Sequence, residues 1–465
     1  MSNQNQKIQA LVPCDDAGHQ FVCYADCCSG VPGAPHEKTF AAVNHVVSRL
    51  EPQPEFICFP GDQIQGLATD AGKLQEQWQY WFEKEMQWLD AKAIPLYHTT
   101  GNHTAYDSLS ETVFRQVMAH LPRNGPPGQE GLTYWVRRND LLLVFVNTLN
   151  SGLGGEGRVE TTWLDRTLGE HADAKFKLVF GHHPVHSVNG FSGVFQRDIA
   201  PEEGRRFWDL LVRHHVLAYV CSHILAFDVQ VHRGVLQILT GGAGTIPHMP
   251  EGIEYLHCVQ AALDVHGLRY QVLDTSGPIR EWLKWPIELP MSSTWTPWES
   301  EASRALMLDE NRNETSTTRF IAWRFSGRCP PAESGAAQTL LCGWNSDSSL
   351  APVWIGLRGR EHRLCVLLSP VPGCSPHLWL GPMLAPDDPF EIHLGIHTGM
   401  GSGGLLWRWN DNAPWSSLIA ASPWGAERLT WPEHWNVGHD QYGSRSIPFR
   451  GSHLEVTGCT RRLRL

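Results

Sequence analysis

The chain has 465 residues, of which 42% are apolar and 18% charged, and its formal net charge is −11 at pH 7. A chain of this length exceeds what one hydrophobic core usually supports, so two domains are expected. The charges form no basic stripe, which argues against nucleic acid as a partner, and no segment is predicted as a membrane span or signal peptide. The twelve cysteines include no C-x-x-C pair, so reduced thiols in a soluble, cytoplasmic protein are predicted.

The first part of the sequence alternates apolar runs with amphipathic stretches. Short apolar runs predict buried strands. Between them, Phe40, Val43, Val47 and Leu50 recur at spacings of three and four, which predicts an amphipathic helix. Two further helices are predicted over residues 77–89 and 205–213. Repeated strand–helix–strand units predict an α/β fold with layered sheets and helices outside. The predicted strands are residues 21–24, 56–59, 94–97, 178–180 and 216–220.

Polar side chains with metal-binding chemistry follow each of these five strands. Because α/β sheets hold their sites at the carboxyl edge, we expect these side chains to converge there. Carboxylate, amide and imidazole donors suit Zn, Mn or Fe(II) better than calcium. A metal site is therefore predicted, and its candidates are Asp26, Asp62, Asn102 with the adjacent His103, His182 and His223.

Other residues near the predicted strand ends have less specific patterns. The glycine-rich residues 240–245 lack the lysine and the following helix of a phosphate loop, so a tight turn at the rim of the site is predicted. Four additional histidines are predicted to be surface or hydrogen-bonded neighbours of the site rather than ligands: His98, His183, His186 and His232.

The composition changes near residue 290. Of the 20 tryptophans, 14 follow residue 280, and Pro286 and Pro290 mark a linker predicted over residues 286–300. The first domain is accordingly placed at residues 1–285. Beyond the linker, short strand-like runs separated by turn residues predict an all-β domain over residues 301–465. These runs are residues 318–325, 339–344, 353–357, 363–368, 390–396 and 405–409.

The order of the polar clusters resembles the calcineurin-like metallophosphoesterase superfamily. Its pattern of D-x-H or D-x-G, G-D, G-N-H-[D/E], a lone histidine and G-H-x-H is similar, in that order, to Asp26, Gly61-Asp62, Gly101-Asn102-His103, Gly181-His182 and Ser222-His223 in this chain. The segment Gly181-His182-His183-Pro184 resembles the purple-acid-phosphatase branch, and Thr162-Trp163-Leu164 resembles the helix before that strand. Over residues 18–285 the resemblance implies a layered metallophosphoesterase sandwich closed by antiparallel strands near residues 259–279.

The second domain resembles a laminin-G or concanavalin-like jelly-roll, most visibly over residues 390–397 and 448–456. Such domains often bind glycans, although any single tryptophan is more typical of a core. The candidates for stacking on a sugar ring are Trp407, Trp409, Trp415, Trp424, Trp431 and Trp435.

Transfer of the family's ligands implies one complete metal position and one incomplete one. Asp62, Asn102, His182 and His223 match the complete set. The other position keeps Asp26 and Asp62, while the family's two imidazoles fall on Cys28 and Leu225. Either Cys28 ligates as a thiolate, with Gln65, Asp228 or His232 filling the vacancy, or one ion binds alone. An unpaired cysteine is more often a small buried hydrophobe, so Cys28 is a tentative ligand.

His103 is the catalytic residue that the resemblance implies. In the family this histidine contacts the phosphoryl group and can protonate the leaving oxygen. The acid that normally follows it is replaced by Thr104, which leaves Asp107 as a candidate to orient the imidazole.

We therefore predict a metal-dependent phosphoesterase-like hydrolase for phosphomonoesters or phosphodiesters. One or two Zn, Mn or Fe ions per chain are expected, and the expected partner is a small-molecule phosphoester or a phosphorylated glycan. One alternative is a catalytically weak relative that binds a ligand or glycan. Another is a redox or non-phosphate enzyme that uses Cys28 at iron. The sequence makes no prediction of oligomeric state.

Overall fold

The structure, a computed structural model, comprises two compact units. The first unit comprises Met1–Trp285 except for residues 189–191 and 230–233, which group with the second unit, Pro286–Leu465. In the described part of the chain, no helix combines the length and the apolar character needed to cross a membrane. The residues described are 6–149, 159–190, 198–248, 254–298, 317–332, 336–346, 351–369, 376–421, 432–440 and 447–464.

The first unit contains both helices and strands. Its helices are α1 Pro35–Val47, α2 Ala71–Tyr80, α3 Ser108–Val117, α4 Thr161–Glu170 and α5 Pro201–Arg213, and a π-helical turn, Trp81–Glu85, follows α2. Its strands are β1 Ile8–Gln9, β2 His19–Cys23, β3 Leu50–Glu51, β4 Phe56–Phe59, β5 Leu96–His98, β6 Tyr134–Arg138, β7 Leu141–Phe145, β8 Phe176–Phe180, β9 Ala218–Cys221, β10 Phe227–His232, β11 Val235–Thr240, β12 His257–Asp264, β13 Gly267–Asp274 and β14 Ile279–Trp285.

Two six-stranded sheets form the centre of the first unit, in the orders β10-β11-β9-β8-β7-β6 and β14-β13-β12-β2-β4-β5. Side chains from both sheets, including Phe21 and Leu178, line one small internal cavity, so the sheets pack face to face. Helices cover their outer faces, because Phe207 of α5 contacts Tyr219 of β9 and Phe40 of α1 contacts Phe59 of β4. The predicted layered α/β fold is confirmed.

Parallel pairing places several strand ends together. Strands β7, β8, β9 and β11 pair in parallel, as do β2, β4 and β5. These strands are rich in valine, leucine and phenylalanine and are almost entirely buried, as expected for parallel strands between two layers. The closing strands β12 and β13 pair antiparallel, as predicted.

The predicted helices are present with different ends. Leu50 continues the apolar spacing of α1, but the helix ends at Val47 and Leu50 instead pairs in β3 with β1. The helix predicted over residues 77–89 is the end of α2 followed by the π-helical turn, which leaves helical geometry at Met86. Both Trp78 and Trp81 on this stretch are buried, and their rings meet edge to face with centroids 6.1 Å apart.

The N-terminal residues lie along the closing strands. The backbone N–H of Leu11 donates to Gln260 Oε1 at 2.8 Å, and Gln260 Nε2 returns a bond to the Leu11 carbonyl at 2.9 Å. Arg269 Nη2 donates both to the Val12 carbonyl and to Asp264 Oδ2, each at 2.7 Å. Because β2 also pairs with β12, the beginning and the end of the unit share one sheet.

The second unit is built from β-strands around its own core. Its strands are β15 Thr296–Pro297, β16 Thr317–Arg328, β17 Gln338–Trp344, β18 Val353–Arg358, β19 Arg363–Leu368, β20 His377–Met383, β21 Pro389–His397, β22 Leu405–Arg408, β23 Ser416–Ser417, β24 Ile419–Ala420, β25 His434–Val437 and β26 Ser452–Arg464. They form two six-stranded sheets, in the orders β15-β26-β16-β21-β22-β23 and β24-β20-β19-β18-β17-β25. Ile321 and Phe325 from one sheet share a buried cluster with Ile355 and Val366 from the other. This is an all-β sandwich consistent with a jelly-roll, and all six predicted runs are strands.

The predicted linker differs from the structure over its described part. Within residues 286–298, β15 pairs with β26 and Trp298 lies in the core cluster, so this segment is part of the second unit. Residues 299 and 300 lie outside the described residues. The physical reason is the indole of Trp298, whose ring lies 5.4 Å from those of Trp323 and Trp435 and anchors the segment to the sandwich.

Of the four described tryptophans proposed to stack on sugars, two are buried. Trp435 belongs to the core cluster, Trp415 is buried against Phe320, and Trp407 is half-buried. Trp409 is 39% exposed. The other two candidates, Trp424 and Trp431, lie outside the described residues.

Candidate metal centre

The predicted ligands follow the carboxyl ends of parallel strands in both sheets. Asp26 follows β2, Asp62 follows β4, and Asn102 follows β5. His182 comes two residues after the end of β8, and His223 comes two residues after the end of β9. The apolar side chains of these strands fix the two sheets against each other, and this packing brings five polar residues distant in sequence to one edge.

Their donor atoms converge. Asn102 Oδ1 lies 2.9 Å from His182 Nε2 and 2.8 Å from His223 Nδ1, and the two imidazole nitrogens are 3.2 Å apart. Asp62 Oδ2 lies 3.2 Å from His182 Nε2. Asp26, Asp62 and His182 each offer one ligand atom within 4.8 Å of the other two. The five residues predicted as ligands therefore form one contiguous cluster of oxygen and nitrogen donors.

Hydrogen bonds behind His182 select the nitrogen that faces this cluster. His182 Nδ1 donates to the Pro60 carbonyl at 3.0 Å and lies 2.9 Å from Ser222 Oγ, whose own hydroxyl donates to Pro60 at 2.5 Å. Nδ1 therefore carries a proton and Nε2 points to the centre. Metal-binding histidines are usually oriented in this way, with the remote nitrogen donating to a carbonyl.

The backbone around the centre adopts a conformation that side chains rarely favour. Asp26, Cys28, Asp62 and His223 have φ values of 63°, 43°, 55° and 73°. Each left-handed residue of this kind costs about 1–3 kcal/mol, and such residues cluster at functional sites. Asp and His tolerate this region better than most residues, whereas cysteine has no such preference.

Gly101 allows the strand ends to approach closely. A Cβ at this position would lie 2.1 Å from Asp62 Oδ1. The glycine before Asn102 is therefore required sterically, because any larger residue would displace a predicted ligand.

The ionisable groups of the centre shift one another's pKa values. Burial lowers the pKa of His182, but the adjacent Asp62 and Asp26 carboxylates outweigh burial and raise it to about 9. Burial raises the pKa of Asp26 to about 7, with Asp62 adding to the shift. Burial also opposes ionisation of Asp62, yet the His182 and His103 imidazoles hold its pKa below the usual range. The ionised Asp62 carboxylate and the protonated His182 imidazole thus form an ion pair. A bound cation would take the place of the His182 proton.

This donor set fits a transition metal. Asp62, Asn102, His182 and His223 offer two oxygens and two imidazole nitrogens, a combination suited to Zn, Mn or Fe rather than calcium. The left-handed residues, the carbonyl behind His182 and the converging donors all agree with such a site. Leu225, where the family has a histidine, is half-buried and has no donor atom.

Cys28 lies beside the same cluster. Its Sγ, a carboxylate oxygen of Asp62 and a ring nitrogen of His103 lie within 4.8 Å of one another. Burial raises the pKa of the Cys28 thiol well above its ordinary value, and the Asp62 and Asp26 carboxylates add to this, so the thiol is protonated without a metal. Bound cations deprotonate such thiols.

The other candidates for the incomplete metal position are Asp228, His232 and Gln65. Among the described residues, the clusters of close ligand atoms include neither Asp228 nor His232. Gln65 is an exposed residue whose backbone carbonyl, rather than its side chain, is the group that contacts His103.

His103 is held by its backbone and by Gln65. Its N–H donates to Asp62 Oδ1 at 2.9 Å, and Nδ1 lies 2.8 Å from the Gln65 carbonyl. Asp107, considered as the orienting acid, instead caps α3 by accepting from the Ser110 N–H at 2.7 Å. Thr104 bonds to Gly101 and closes the turn that precedes it. A backbone carbonyl therefore has the orienting role that the family gives to a carboxylate.

His183 was not predicted as a candidate ligand. Its imidazole is buried, Nδ1 lies 2.9 Å from Thr148 Oγ1, and a ring nitrogen lies within 4.8 Å of ligand atoms of His182 and His223. The sequence does contain a signal, because two histidines, His182 and His183, stand directly after a buried strand. In a strand, however, adjacent side chains point to opposite faces, so the second histidine was not expected at the same centre. The turn after β8 brings both imidazoles to the same centre.

The glycine-rich segment supports Asp26, in agreement with a turn at the rim. The N–H groups of Ala243 and Thr245 donate to the carbonyls of Ala25 and Asp26 at 2.8 and 2.9 Å. The Thr245 hydroxyl also donates to the Asp26 carbonyl, at 2.6 Å. This segment fixes the left-handed backbone at Asp26.

Comparison with known proteins identifies the family of this unit. Residues 19–227 match the family model of the calcineurin-like phosphoesterases. No curated protein is detectably similar in sequence. Solved structures similar to the chain include a purple acid phosphatase from yellow lupin (Lupinus luteus) seeds, with 13% identity, 59% of this chain and 55% of that chain covered, and a TM-score of 0.44.

Two further similar structures are a dimetal phosphatase from Danio rerio and the anchor in the inner membrane complex of Plasmodium. The first has 16% identity over 55% of this chain and 96% of that chain, with a TM-score of 0.41. The second has 14% identity over 58% and 90%, with a TM-score of 0.42. The chain spans only about half the length of the lupin enzyme. The family match, the two layered sheets and the ligands at the strand ends together identify the first unit as a calcineurin-like metallophosphoesterase domain.

Proposed function

We propose that the protein is a metal-dependent phosphoric ester hydrolase acting on a phosphomonoester or phosphodiester. The observation that supports this most strongly is the convergence of Asp62, Asn102, His182 and His223 at one edge of the sheets, with His103 next to Asp62. One or two ions of Zn, Mn or Fe are the expected cofactors. When bound, they would supply Lewis-acid polarisation of phosphoryl oxygens and activation of water.

The protein's own residues have distinct tasks in this proposal. Asp62, Asn102 and the two histidines hold the ion, and the strand packing beneath them sets their spacing. His103 is the proton donor to the leaving oxygen. Its Nδ1 is bonded to the Gln65 carbonyl, so the acidic proton is assigned to Nε2.

The test of this role is His103→Ala. The variant keeps the backbone N–H that bonds Asp62, so metal content should be unchanged while turnover of alkyl phosphoesters falls by roughly 10²-fold or more. Nitrophenyl esters, whose leaving group needs little protonation, should lose much less. His45→Ala is a matched control, because His45 is an exposed histidine on α1.

Other outcomes reassign His103. Loss of metal in His103→Ala would make it a ligand and contradict the acid role. Equal losses with all leaving groups would instead assign it to stabilisation of transition-state charge.

A second candidate function is a catalytically weak relative that binds a phosphorylated ligand. Leu225 and Thr104 support it, because each removes a group that the family uses. A panel of phosphomonoesters and phosphodiesters with Zn, Mn or Fe distinguishes the two: hydrolysis supports the enzyme, and saturable binding without turnover supports the alternative. A phosphorylated glycan remains a proposed partner, with Trp409 as the exposed aromatic among the described candidates. The buried free thiols favour a reducing compartment, which we propose is the cytoplasm.

A further inference from the structure

We propose that Cys28 is a thiolate ligand of the metal centre, and that Cys28 and Asp62 hold a zinc ion beside the position made by Asp62, Asn102, His182 and His223. This inference rests on the metal centre of the proposed function and goes further by naming the donor and the metal of the incomplete position. It does not require phosphoester hydrolysis.

The position of Cys28 carries the proposal. Asp62 belongs to two groups of close ligand atoms, one with Asp26 and His182 and the other with Cys28 and His103. Its carboxylate therefore lies between the complete position and the thiol. The Cys28 N–H also donates to the Asp62 backbone carbonyl at 2.9 Å, so the loop that presents the sulfur is attached to the loop that presents the shared carboxylate.

The neighbouring Cys27 shows what a packing cysteine looks like in the same loop. Its thiol donates to the Gln63 carbonyl at 2.8 Å, and its sulfur accepts from Trp81 Nε1 at 3.4 Å. Cys27 is thus turned into the protein interior, away from the centre. Although the two residues are adjacent and both buried, only Cys28 belongs to a cluster of ligand atoms among the described residues.

A thiolate changes which metal this position prefers. The Asp62 carboxylate and a thiolate bring two negative charges, and the soft sulfur favours Zn over Mg or Mn, which prefer oxygen donors. We therefore expect the centre to hold two zinc ions, of which one has a sulfur ligand. The family's usual imidazole at this position would discriminate less between these metals.

X-ray absorption at the zinc edge of the full chain tests the inference directly. With two zinc ions bound, one Cys28 sulfur gives an average of about half a sulfur neighbour per zinc at about 2.3 Å, distinct from nitrogen and oxygen neighbours at about 2.0–2.2 Å. Cys28→Ser should lose the sulfur signal and bind the second zinc more weakly. Cys28→His should keep two ions without sulfur.

Cys27→Ser is the matched control and should keep both zinc ions and the sulfur signal, because a serine hydroxyl can still donate to Gln63. A wild-type protein with two zinc ions and no sulfur neighbour would overturn the proposal, as would a sulfur signal that persists in Cys28→Ser. Failure of the enzymatic proposal is separate: a sulfur-ligated zinc in a protein that hydrolyses no phosphoester supports this inference and refutes only the hydrolase.

Discussion

The substitution Gly101→Ala should disable the metal centre without changing any ligand. A Cβ at this position would lie 2.1 Å from Asp62 Oδ1 and 2.6 Å from the Asp62 backbone nitrogen, whereas ordinary contact begins at 3.4 Å. The carboxylate oxygen would therefore have to move by about 1.3 Å, while metal sites tolerate deviations of only about 0.2 Å in ligand distance. Because φ of Gly101 is not in the left-handed region, alanine itself fits the backbone.

We expect this variant to bind metal about 100-fold more weakly, at the upper end of the effect of disturbing a ligand's surroundings. Overpacking should also lower the free energy of unfolding by about 1–3 kcal/mol. Affinity is measured by competition with a chromophoric chelator, and thermal unfolding is measured in excess chelator so that stability is separated from binding.

Gly169→Ala is the control for this experiment. Gly169 lies in α4, and a Cβ there would meet its nearest neighbour, His214 Cε1, at 3.8 Å. Alanine should leave metal binding unchanged and stabilise the helix by up to about 1 kcal/mol. If Gly101→Ala retained the wild-type metal affinity and stoichiometry, Asp62 could not be a ligand in the geometry described.

Three further predictions concern the ligands, the proton balance and the second unit. His182→Ala and His223→Ala should each empty at least one metal position, and unchanged metal content in both variants would remove the ligand assignment. Because the pKa of His182 is raised to about 9, filling its position near pH 7 should release about one proton, and affinity should rise about tenfold per pH unit until about pH 9. Calorimetry in buffers of different ionisation enthalpy measures this release, and its absence would contradict the charged Asp62–His182 pair. Trp323→Ala should destabilise the second unit by about 3–5 kcal/mol in thermal unfolding while leaving metal content intact, since the buried indole packs between Trp298 and Trp435.

The convergence of the proposed ligands at one edge could be predicted because two simple signals coincide in the sequence. An apolar run reveals a buried strand, and a polar residue of unusual chemistry just beyond it reveals the strand's functional end. Asp62 after β4 and His182 after β8 satisfy both signals. The match to a family order then supplied the grouping of ligands, which no local pattern contains.

Other features depend on tertiary contacts that sequence spacing does not encode. Leu50 fits the stripe of α1, but pairing with β1 places it in a strand. Asp107 has the chemistry to orient His103, yet the backbone N–H of Ser110 binds it as a helix cap. His183 could not be separated from its neighbours by pattern, because only the turn after β8 decides which imidazoles point to the centre.

The pairing of β2 with a strand far along the chain affects how the first unit folds during synthesis on the ribosome. This strand is synthesised well before one of its two partners, β12, which begins at His257. At about 5–20 residues per second, the roughly 230 intervening residues take on the order of 10–50 s to appear. During that interval β2 has an open edge, and the N-terminal residues that later bond to Gln260 and Arg269 have no surface on which to dock. Completion of the first unit, and with it the loop that carries Asp26, must therefore wait until nearly all of that unit has left the ribosome.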